Sequence, residues 1–261
     1  MQIFTNNNLK GYQKKKDNLS FSRFEIKYIL DIKTSISIQN IIKDFMILDG
    51  YAKFMSNNKY FVRSLYFDND YYDNFKEKVD GLKIRHKFRI RTYSKKKNES
   101  SIIYLEKKGR FNERTYKIRT KIELDQLDMI LNSNEMFKLY NSNINSPILS
   151  EFIIDTYKKK IKPKVIIDYS RKPFINKHGN YFRLTFDNNL SSTISKNLFS
   201  SDHQSKKTIP GYEILEVKFD RTIPPWFQKV IQSFELNRLS VSKYVLGCET
   251  SKLAYDMKVG K

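Results

Sequence analysis

The 261-residue chain contains few of the residues that stabilise small secreted domains or form flexible linkers. Its single cysteine, Cys248, excludes an internal disulfide framework and predicts a reducing, cytoplasmic environment. Its three histidines, His86, His178 and His203, are too far apart in sequence for zinc-ligand spacing. The 6 prolines and 8 glycines are scattered, so no segment has the composition of an interdomain linker.

Long hydrophobic runs are also absent. No apolar run approaches the ~18 residues that a membrane helix requires, and the polar N-terminus lacks the apolar core of a signal peptide. We therefore expect a soluble chain without a transmembrane segment, and leave open a membrane-associated or regulatory partner. Residues 1–20 and 251–261 are predicted to be flexible tails, and residues 21–250 to form one domain.

Basic residues are abundant. Lys and Arg number 49 against 28 Asp and Glu, which gives a formal net charge of +21. With 39% hydrophobic and 14% aromatic residues, the chain is nevertheless too apolar to be disordered. The net charge suits a polyanionic partner, but a Lys- and Asn-rich composition also follows from an AT-biased genome. The positions of the basic residues therefore carry the information.

The hydrophobic pattern predicts an α+β fold. Alternation of apolar and polar residues predicts eight strands, at Arg23–Leu30, Tyr60–Phe67, Leu82–Tyr93, Ser101–Lys108, Thr115–Ile122, Lys164–Lys172, Tyr181–Asp187 and Glu213–Phe219. Apolar residues at helical spacing predict helices at Ile38–Leu48, Tyr71–Val79, Leu124–Leu131, Ile148–Tyr157 and Trp226–Leu236. Consecutive strands are joined too briefly for parallel crossovers, so we expect a mainly antiparallel sheet.

The segment 83–91 carries a cation at every odd position. On a strand, residues two apart share a face at a spacing of roughly 6.6 Å. Five cations therefore form one row, while Ile84, Phe88 and Ile90 point to the other side. Like charges this close repel one another unless water or anions surround them.

Two arrangements account for this pattern. In the first, a half-buried antiparallel sheet turns its charged face to water. In the second, the strands form a barrel with the charged faces inward and helices over the apolar outside, which makes a cationic tunnel. Carboxylates among the cations favour the second arrangement slightly, because a metal bound beside phosphates needs oxygen ligands. The alternation alone does not choose between them.

Seven short motifs resemble those of a known family when they are read in order. They are Arg23-Phe-Glu25-Ile-Lys27-Tyr28, Arg89-Ile-Arg91-Thr-Tyr93, Tyr104-Leu-Glu106-Lys107-Lys108, Lys164-Val-Ile-Ile-Asp168-Tyr169-Ser-Arg171, Arg183-Leu-Thr-Phe-Asp187, Glu213-Ile-Leu-Glu216-Val-Lys218 and Ser242-Lys243-Tyr244. Together they resemble the VTC-type polyphosphate polymerase domain of the triphosphate tunnel metalloenzymes, over roughly residues 22–247. The resemblance implies an eight-stranded, mainly antiparallel, tunnel-like β-barrel with a charged interior and helices packed outside.

The resemblance and the cation row also indicate site residues. Four are expected to be catalytic, namely Arg89, Arg91, Lys108 and Lys243. The expected phosphate-binding residues are Lys27, Arg85, Lys87, Lys117, Arg119, Arg171, Arg183 and Lys218. Glu216 matches the family's metal-binding glutamate and implies Mn²⁺ or Mg²⁺ as cofactor. Tyr28 and Tyr244 flank tunnel lysines and are interpreted as packing residues.

The activity that the resemblance implies is transfer of the γ-phosphoryl group of ATP to inorganic polyphosphate. A triphosphate hydrolase on the same fold and a non-catalytic polyanion-binding protein are the alternatives. Arg23 stands where the hydrolytic relatives carry a glutamate, which disfavours hydrolysis with two metal ions. Nucleic acid is not expected as a partner, because Phe88 lies on the face opposite the cations and is not interleaved with them for base stacking.

Overall fold

The computed structural model describes residues 23–112, 114–132, 135–136, 138–139, 146–179, 181–200 and 205–254. The segment 1–20, predicted to be a tail, lies outside these ranges, as do residues 255–261 of the second predicted tail. The first four residues of that second segment are packed against the domain. The Ser251 hydroxyl lies 2.9 Å from Oγ of Ser192, and Ala254 is buried. The packed chain therefore extends beyond the predicted boundary at residue 250.

The fold is α+β, with a ten-stranded sheet whose outer surface is covered by helices. The strands are β1 (Phe24–Asp31), β2 (Met46–Leu48), β3 (Tyr60–Asp68), β4 (Ile84–Thr92), β5 (Ile103–Phe111), β6 (Arg114–Ile122), β7 (Lys162–Asn176), β8 (Phe182–Ile194), β9 (Lys206–Lys207) and β10 (Tyr212–Phe219). The helices are α1 (Ile32–Ile42), α2 (Gly50–Lys53), α3 (Asp73–Val79), α4 (Leu124–Leu131), α5 (Pro147–Lys159), α6 (Pro225–Ser233) and α7 (Lys243–Thr250). Within the described ranges, no helix is long and apolar enough to cross a membrane.

The eight predicted strands form one antiparallel path in the order β1-β10-β8-β7-β3-β4-β5-β6. Two short strands that were not predicted, β2 and β9, pair with β7 and β8. The path curls until its end strands meet, and Arg23 forms an antiparallel bridge with Thr115. This bridge is the one pairing between β1 and β6 in the described part of the chain. The sheet is therefore curled but open at this seam, which differs from the expected closed barrel.

The apolar faces of the strands point outward and are covered by helices. Phe152 of α5 packs edge-to-face against Phe88 of β4, with the ring centroids 5.2 Å apart. Ile38 and Ile42 of α1 are fully buried against β1, β8 and β10. Tyr244 of α7 is buried in a third apolar cluster over β3 and β7. Because burial of this apolar surface stabilises the fold, the alternating charged side chains are turned to the concave inner face.

The helices α1 and α7 differ from the prediction, and the short helix α2 was not predicted either. The helix expected over Ile38–Leu48 begins at Ile32, because the Asp31 carboxylate caps it by accepting the backbone N–H of Thr34 at 2.9 Å. It ends at Ile42, and the rest of the predicted segment turns and adds the short strand β2 to the end of β7. The helix α7 was not predicted, because its apolar residues Tyr244, Val245 and Leu246 are consecutive and do not show helical spacing.

Candidate functional site

The concave face of the sheet encloses a cavity of about 790 Å³. Side chains from β1, β3 to β8 and β10 line it, together with the segment that leads into α7. All of the predicted site residues lie on its wall: Lys27, Arg85, Lys87, Arg89, Arg91, Lys108, Lys117, Arg119, Arg171, Arg183, Glu216, Lys218 and Lys243. The structure therefore brings together residues that are more than 200 positions apart in sequence.

The cation row of β4 enters this cavity along most of its length. Arg85, Lys87, Arg89 and Arg91 line the wall, whereas Lys83 precedes the strand and is exposed outside the cavity. Arg89 and Arg91 are each only 7% exposed. The row is thus enclosed by the sheet and not displayed on an outer surface.

Glu106 neutralises the inner part of this row. It is fully buried, and its Oε2 accepts hydrogen bonds from Nε and Nη2 of Arg89 at 2.8 and 2.6 Å. Nη1 of Arg91 lies 3.7 Å from the same oxygen. Glu106 and Arg89 are directly opposite each other in the β4–β5 register. Such buried, charge-assisted contacts hold guanidinium groups in fixed orientations.

A second buried carboxylate, Asp187, serves the same purpose on the other side of the sheet. It faces Arg171 across the β7–β8 ladder. Its Oδ1 accepts a hydrogen bond from Nε of Arg171 at 2.6 Å, and its Oδ2 accepts one from Nη2 at 2.7 Å. The Lys243 ammonium lies 2.7 Å from Oδ2 of Asp187. Gly247 lets α7 pack this closely, since a Cβ there would stand 2.1 Å from Cδ1 of Ile167.

Glu25 and Glu216 form the third acidic group. Oε1 of Glu216 lies 2.7 Å from the Lys218 ammonium, and Oε1 of Glu25 lies 3.0 Å from both Lys27 and Lys108. Each glutamate stands directly opposite a lysine in the β1–β10 register, Glu25 opposite Lys218 and Glu216 opposite Lys27. The two carboxylates are therefore linked diagonally through these lysines.

The charge states follow from these contacts. Burial raises the pKa of Glu216, but Lys218, Arg171, Lys27 and Lys243 outweigh it and hold the pKa well below its ordinary value. Burial and Glu216 likewise raise the pKa of Glu25, but Lys108, Lys27 and Lys218 outweigh them and hold this pKa below its ordinary value. Both carboxylates are thus ionised at neutral pH.

Several cavity lysines show the opposite effect. Burial lowers the pKa of Lys87, Lys108 and Lys117 to about 8, and neighbouring cations add to that effect. The cavity is therefore short of negative charge, and a bound polyanion would stabilise the ammonium forms.

Two tyrosines that the sequence analysis did not assign to the site also face the arginines. The hydroxyl of Tyr66 accepts a hydrogen bond from Nη1 of Arg89 at 2.9 Å, and the hydroxyl of Tyr169 accepts one from Nη2 of Arg91 at 3.2 Å. Burial raises the pKa of Tyr66, but the Arg89 and Arg91 guanidiniums outweigh it and bring the pKa to about 7. Tyr66 lies between Leu65 and Phe67, and Tyr169 between Asp168 and Ser170, so alternation with cations does not mark either tyrosine as a site residue.

The remaining predicted residues lie nearer the cavity rim. Arg183 pairs with Asp49 at 2.9 Å, and the Arg119 guanidinium lies 4.5 Å from the ring centroid of Tyr104. Arg23 stacks on the Tyr181 ring at 3.7 Å, and its Nε lies 3.3 Å from Oδ1 of Asp220. A cation thus stands at the first motif position, away from the Glu25–Glu216 group.

The two tyrosines interpreted as packing residues are both buried. Tyr28 is 3% exposed and Tyr244 is 1% exposed, each within an apolar cluster. The Tyr244 hydroxyl donates to Oδ2 of Asp68 at 2.5 Å. Asp68 also accepts backbone N–H groups at the start of α3. Tyr244 therefore anchors α7, and with it Lys243, to the strand β3.

The donor set of the cavity fits a divalent metal held together with substrate. Mg²⁺ is commonly bound by one or two carboxylates and by substrate phosphates, and Glu25 and Glu216 are two ionised carboxylates in one cationic setting. Among the described residues, no group of three or more His, Cys, Asp or Glu is arranged to hold a metal. Glu25 and Glu216 would supply two oxygen ligands to such an ion.

Comparison with solved structures finds chains to which this one is similar at low sequence identity. A candidate adenylate cyclase (bh2851) from Bacillus halodurans is 14% identical, with a TM-score of 0.45, over 85% of this chain and 94% of that one. The PH1819 protein from Pyrococcus horikoshii OT3 is 12% identical, with a TM-score of 0.45, over 87% and 98%. HpAC1 from Hippeastrum, a candidate adenylyl cyclase described as having a dominant triphosphatase activity, is 12% identical, with a TM-score of 0.50, over 87% and 95%. At these identities the likeness concerns the fold alone.

No curated protein matches the chain. The family model of the VTC domain, in contrast, matches residues 22–252, which is most of the sequence. The matched range contains every strand of the curled sheet and every charged residue placed above on the cavity wall. The chain therefore belongs to the VTC domain family.

Proposed function

We propose that this protein is a metal-dependent polyphosphate polymerase that transfers the γ-phosphoryl group of ATP to a growing inorganic polyphosphate chain in the cytoplasm. The observation that carries the proposal is the convergence of the predicted cations and Glu216 on one cavity. The proposal also takes the curled sheet to act as a tunnel, with the Arg23–Thr115 bridge marking its seam. A tunnel open at both ends lets the product leave by threading.

The reaction needs alignment and charge neutralisation more than covalent help. An oxygen of the terminal phosphate of the chain forms a bond to the γ-phosphorus, and the bond from that phosphorus to the β–γ bridging oxygen breaks. ADP leaves with the bridging oxygen. Charge develops on the transferred phosphoryl oxygens, and cations held in fixed positions stabilise it.

The arginines and lysines have different parts in this mechanism. Arg89 and Arg91 are held by Glu106 and by tyrosine hydroxyls, so their guanidiniums can orient phosphate oxygens without rearranging. Lys108 and Lys243 contribute point charges, which tolerate a chain that moves through the site. Glu25 and Glu216 would hold the Mg²⁺ or Mn²⁺, which would neutralise phosphate charge when bound.

A triphosphate hydrolase is the second candidate. The pair of ionised carboxylates Glu25 and Glu216 favours it, because hydrolysis needs a metal-held water as well as phosphate-binding cations. Arg23 weighs against it, since its side chain stacks on Tyr181 at the rim and supplies no third carboxylate.

Incubation with ATP and Mn²⁺, followed by gel separation of the products, tests the proposal. We expect a ladder of long polyphosphate and stoichiometric ADP. Arg89→Ala should abolish the ladder, whereas Lys83→Ala, which removes an exposed lysine from the same segment, should preserve it. Free phosphate without a ladder would identify a hydrolase, and the absence of any turnover would identify a binding protein.

A further inference from the structure

A buried carboxylate, Asp68, lies outside the cavity wall, where β3 ends and the chain turns toward α3. Its Oδ1 accepts the backbone N–H groups of Asn69 and Asn74 at 2.9 and 3.1 Å, and its Oδ2 accepts that of Phe75 at 3.1 Å. Asp68 therefore caps α3 in place of Tyr72, whose side chain makes no capping hydrogen bond.

The same carboxylate receives one further hydrogen bond, from a helix that is distant in sequence. The hydroxyl of Tyr244, in the first turn of α7, donates to Oδ2 of Asp68 at 2.5 Å. Burial raises the pKa of Tyr244, and the neighbouring Cys248 and Asp68 raise it further, so the hydroxyl keeps its proton and serves as the donor. Both side chains are 1% exposed, and buried charge-assisted hydrogen bonds of this kind are short and strong.

Lys243 immediately precedes Tyr244, and its ammonium lies in the cavity. That ammonium is 2.7 Å from Oδ2 of Asp187 and 3.9 Å from Oε2 of Glu216. These carboxylates hold only the end of the side chain, and a lysine stem of four carbons is flexible. The other end of the stem is fixed by the backbone at the start of α7, where Tyr244 is the next residue.

A second contact joins the same two helices near this point. Nζ of Lys78, on α3, donates to Oγ of Ser240, in the segment that leads into α7, at 2.9 Å. This bond is exposed, so water competes for both partners and its net contribution is small. The buried bond from Tyr244 to Asp68 is therefore the stronger of the two side-chain hydrogen bonds that hold the start of α7 against α3, and with it the backbone of Lys243.

We infer that Asp68 is a positioning residue for the triphosphate site, because through the Tyr244 hydroxyl it places the Lys243 ammonium against the substrate phosphates. The inference rests on the proposed function, which gives Lys243 its contact with phosphate. Asp68 itself touches no substrate. Loss of the bond leaves Lys243 its charge but lets the start of α7 shift, and a displacement of about 1 Å in a site of this kind can cost on the order of 10²-fold in rate.

Tyr28 provides a comparison within the same fold. It follows Lys27 along the chain as Tyr244 follows Lys243, and it is likewise buried in an apolar cluster. Its hydroxyl forms no hydrogen bond with any described residue, so Tyr28 acts through its ring alone. The bond to Asp68 is thus a property of Tyr244 and not of every tyrosine that flanks a cavity lysine.

A double-mutant cycle tests the inference, with tripolyphosphate affinity measured by calorimetry and turnover measured by the gel assay. The variants are Tyr244→Phe, Lys243→Met and the two combined. Tyr244→Phe removes one hydroxyl and keeps the ring, so we expect a folded protein with a lower Tm. Two controls keep the buried bond. Tyr28→Phe removes the hydroxyl of the other buried tyrosine, and Leu246→Ala removes apolar packing from the same helix.

We expect Tyr244→Phe to weaken tripolyphosphate binding about three- to tenfold, the range of one net hydrogen bond, and to lower kcat by about tenfold or more. In the Lys243→Met background the same substitution should change neither quantity, because the lysine that it positions is gone. Asp68→Asn should give the same pattern, with a larger loss of Tm because α3 loses part of its cap. Both controls should bind tripolyphosphate and turn over like the wild type, although Leu246→Ala lowers the Tm.

Three results would overturn the inference. Equal losses from Tyr244→Phe in both backgrounds would show that the tyrosine acts independently of Lys243. A lower Tm with unchanged affinity and turnover would make the bond purely structural. An equal loss in Leu246→Ala would ascribe the effect to the stability of α7. The affinity cycle needs no ATP, so a protein that makes no polyphosphate but shows the coupling in tripolyphosphate affinity refutes only the proposed function.

Discussion

The Lys243 ammonium lies 2.7 Å from Oδ2 of Asp187, and this contact ties the start of α7 to β8 inside the cavity. The same carboxylate receives Arg171 through two hydrogen bonds and is fully buried. One anion thus holds two cations that come from different elements, β7 and α7. The two partners are not equivalent, because removing Asp187 leaves both cations with only the more distant Glu216, 3.9 Å from each, whereas removing Lys243 leaves Asp187 paired with Arg171.

We therefore expect Asp187→Asn to destabilise the free protein by about 3–5 kcal/mol, the usual cost of breaking a buried ion pair from one side. Tripolyphosphate should raise the Tm of this variant more than that of the wild type, since it supplies the missing anion. Lys243→Met should fold with nearly normal stability and lose most of its turnover. Calorimetry and the polyphosphate assay measure these effects, and full turnover in Lys243→Met would exclude Lys243 from catalysis.

Glu216→Gln should abolish metal-dependent turnover while leaving the fold intact. The amide oxygen can still accept from Lys218, now 2.7 Å from the carboxylate, but it no longer offers the charge that a divalent cation requires. Turnover measured against Mn²⁺ and Mg²⁺ concentration tests this.

Glu213→Gln is the matched control for that experiment. Glu213 lies three residues earlier on β10, is buried, and bonds Ser35 and Asn188 away from the cavity. The Glu213→Gln variant should be less stable than the wild type, and its turnover should keep the same dependence on metal concentration. An unchanged metal response in Glu216→Gln would remove Glu216 from the metal site.

The strand pattern predicted most of this architecture, because each strand has one apolar face that must be buried. The eight main strands and the cations on their inner faces follow from that alternation. The strand β8 extends seven residues beyond its predicted end, since Asn188-Asn189 and Ser191-Ser192 interrupt the apolar alternation while the backbone still pairs with β7.

The carboxylate partners could not be assigned in the same way. Alternation shows which face Glu106 or Asp187 occupies, but only the register shows that each stands directly opposite an arginine. The position of Lys78 likewise depends on how α3 packs beside β4. Pair contacts of this kind are set by tertiary structure, so a single sequence does not contain them as a local pattern.

Tripolyphosphate should stabilise the protein more than an equal concentration of inorganic phosphate. At about 100 times its Kd, a ligand that binds only the folded state adds about 2.7 kcal/mol, which is a rise in Tm of about 5–10 °C for a chain of this size. Phosphate can engage only a few of the cations at once. Differential scanning calorimetry measures both ligands, and equal shifts would contradict binding along an extended row.

Polyphosphate affinity should fall as the pH rises from about 7 to about 10. In the free protein, burial lowers the pKa of Lys87 to about 8, from the ordinary value of 10.5. Between these values the unfolded chain binds more protons than the folded one, so the stability of the free protein rises with pH across this window. Bound phosphate favours the ammonium form, so binding in the same window takes up protons and weakens as pH increases.

Tyr66 strengthens this pH dependence. Burial raises its pKa, but Arg89 and Arg91 outweigh that effect and bring the pKa to about 7, so a negative charge develops in the cavity as pH rises. Proton uptake is measured by calorimetry in buffers that differ in ionisation enthalpy. Lys87→Met should reduce the uptake above about pH 8, and Tyr66→Phe should flatten the affinity profile near neutral pH. If wild-type affinity were constant over this range, the cavity lysines would not be the groups that hold the chain.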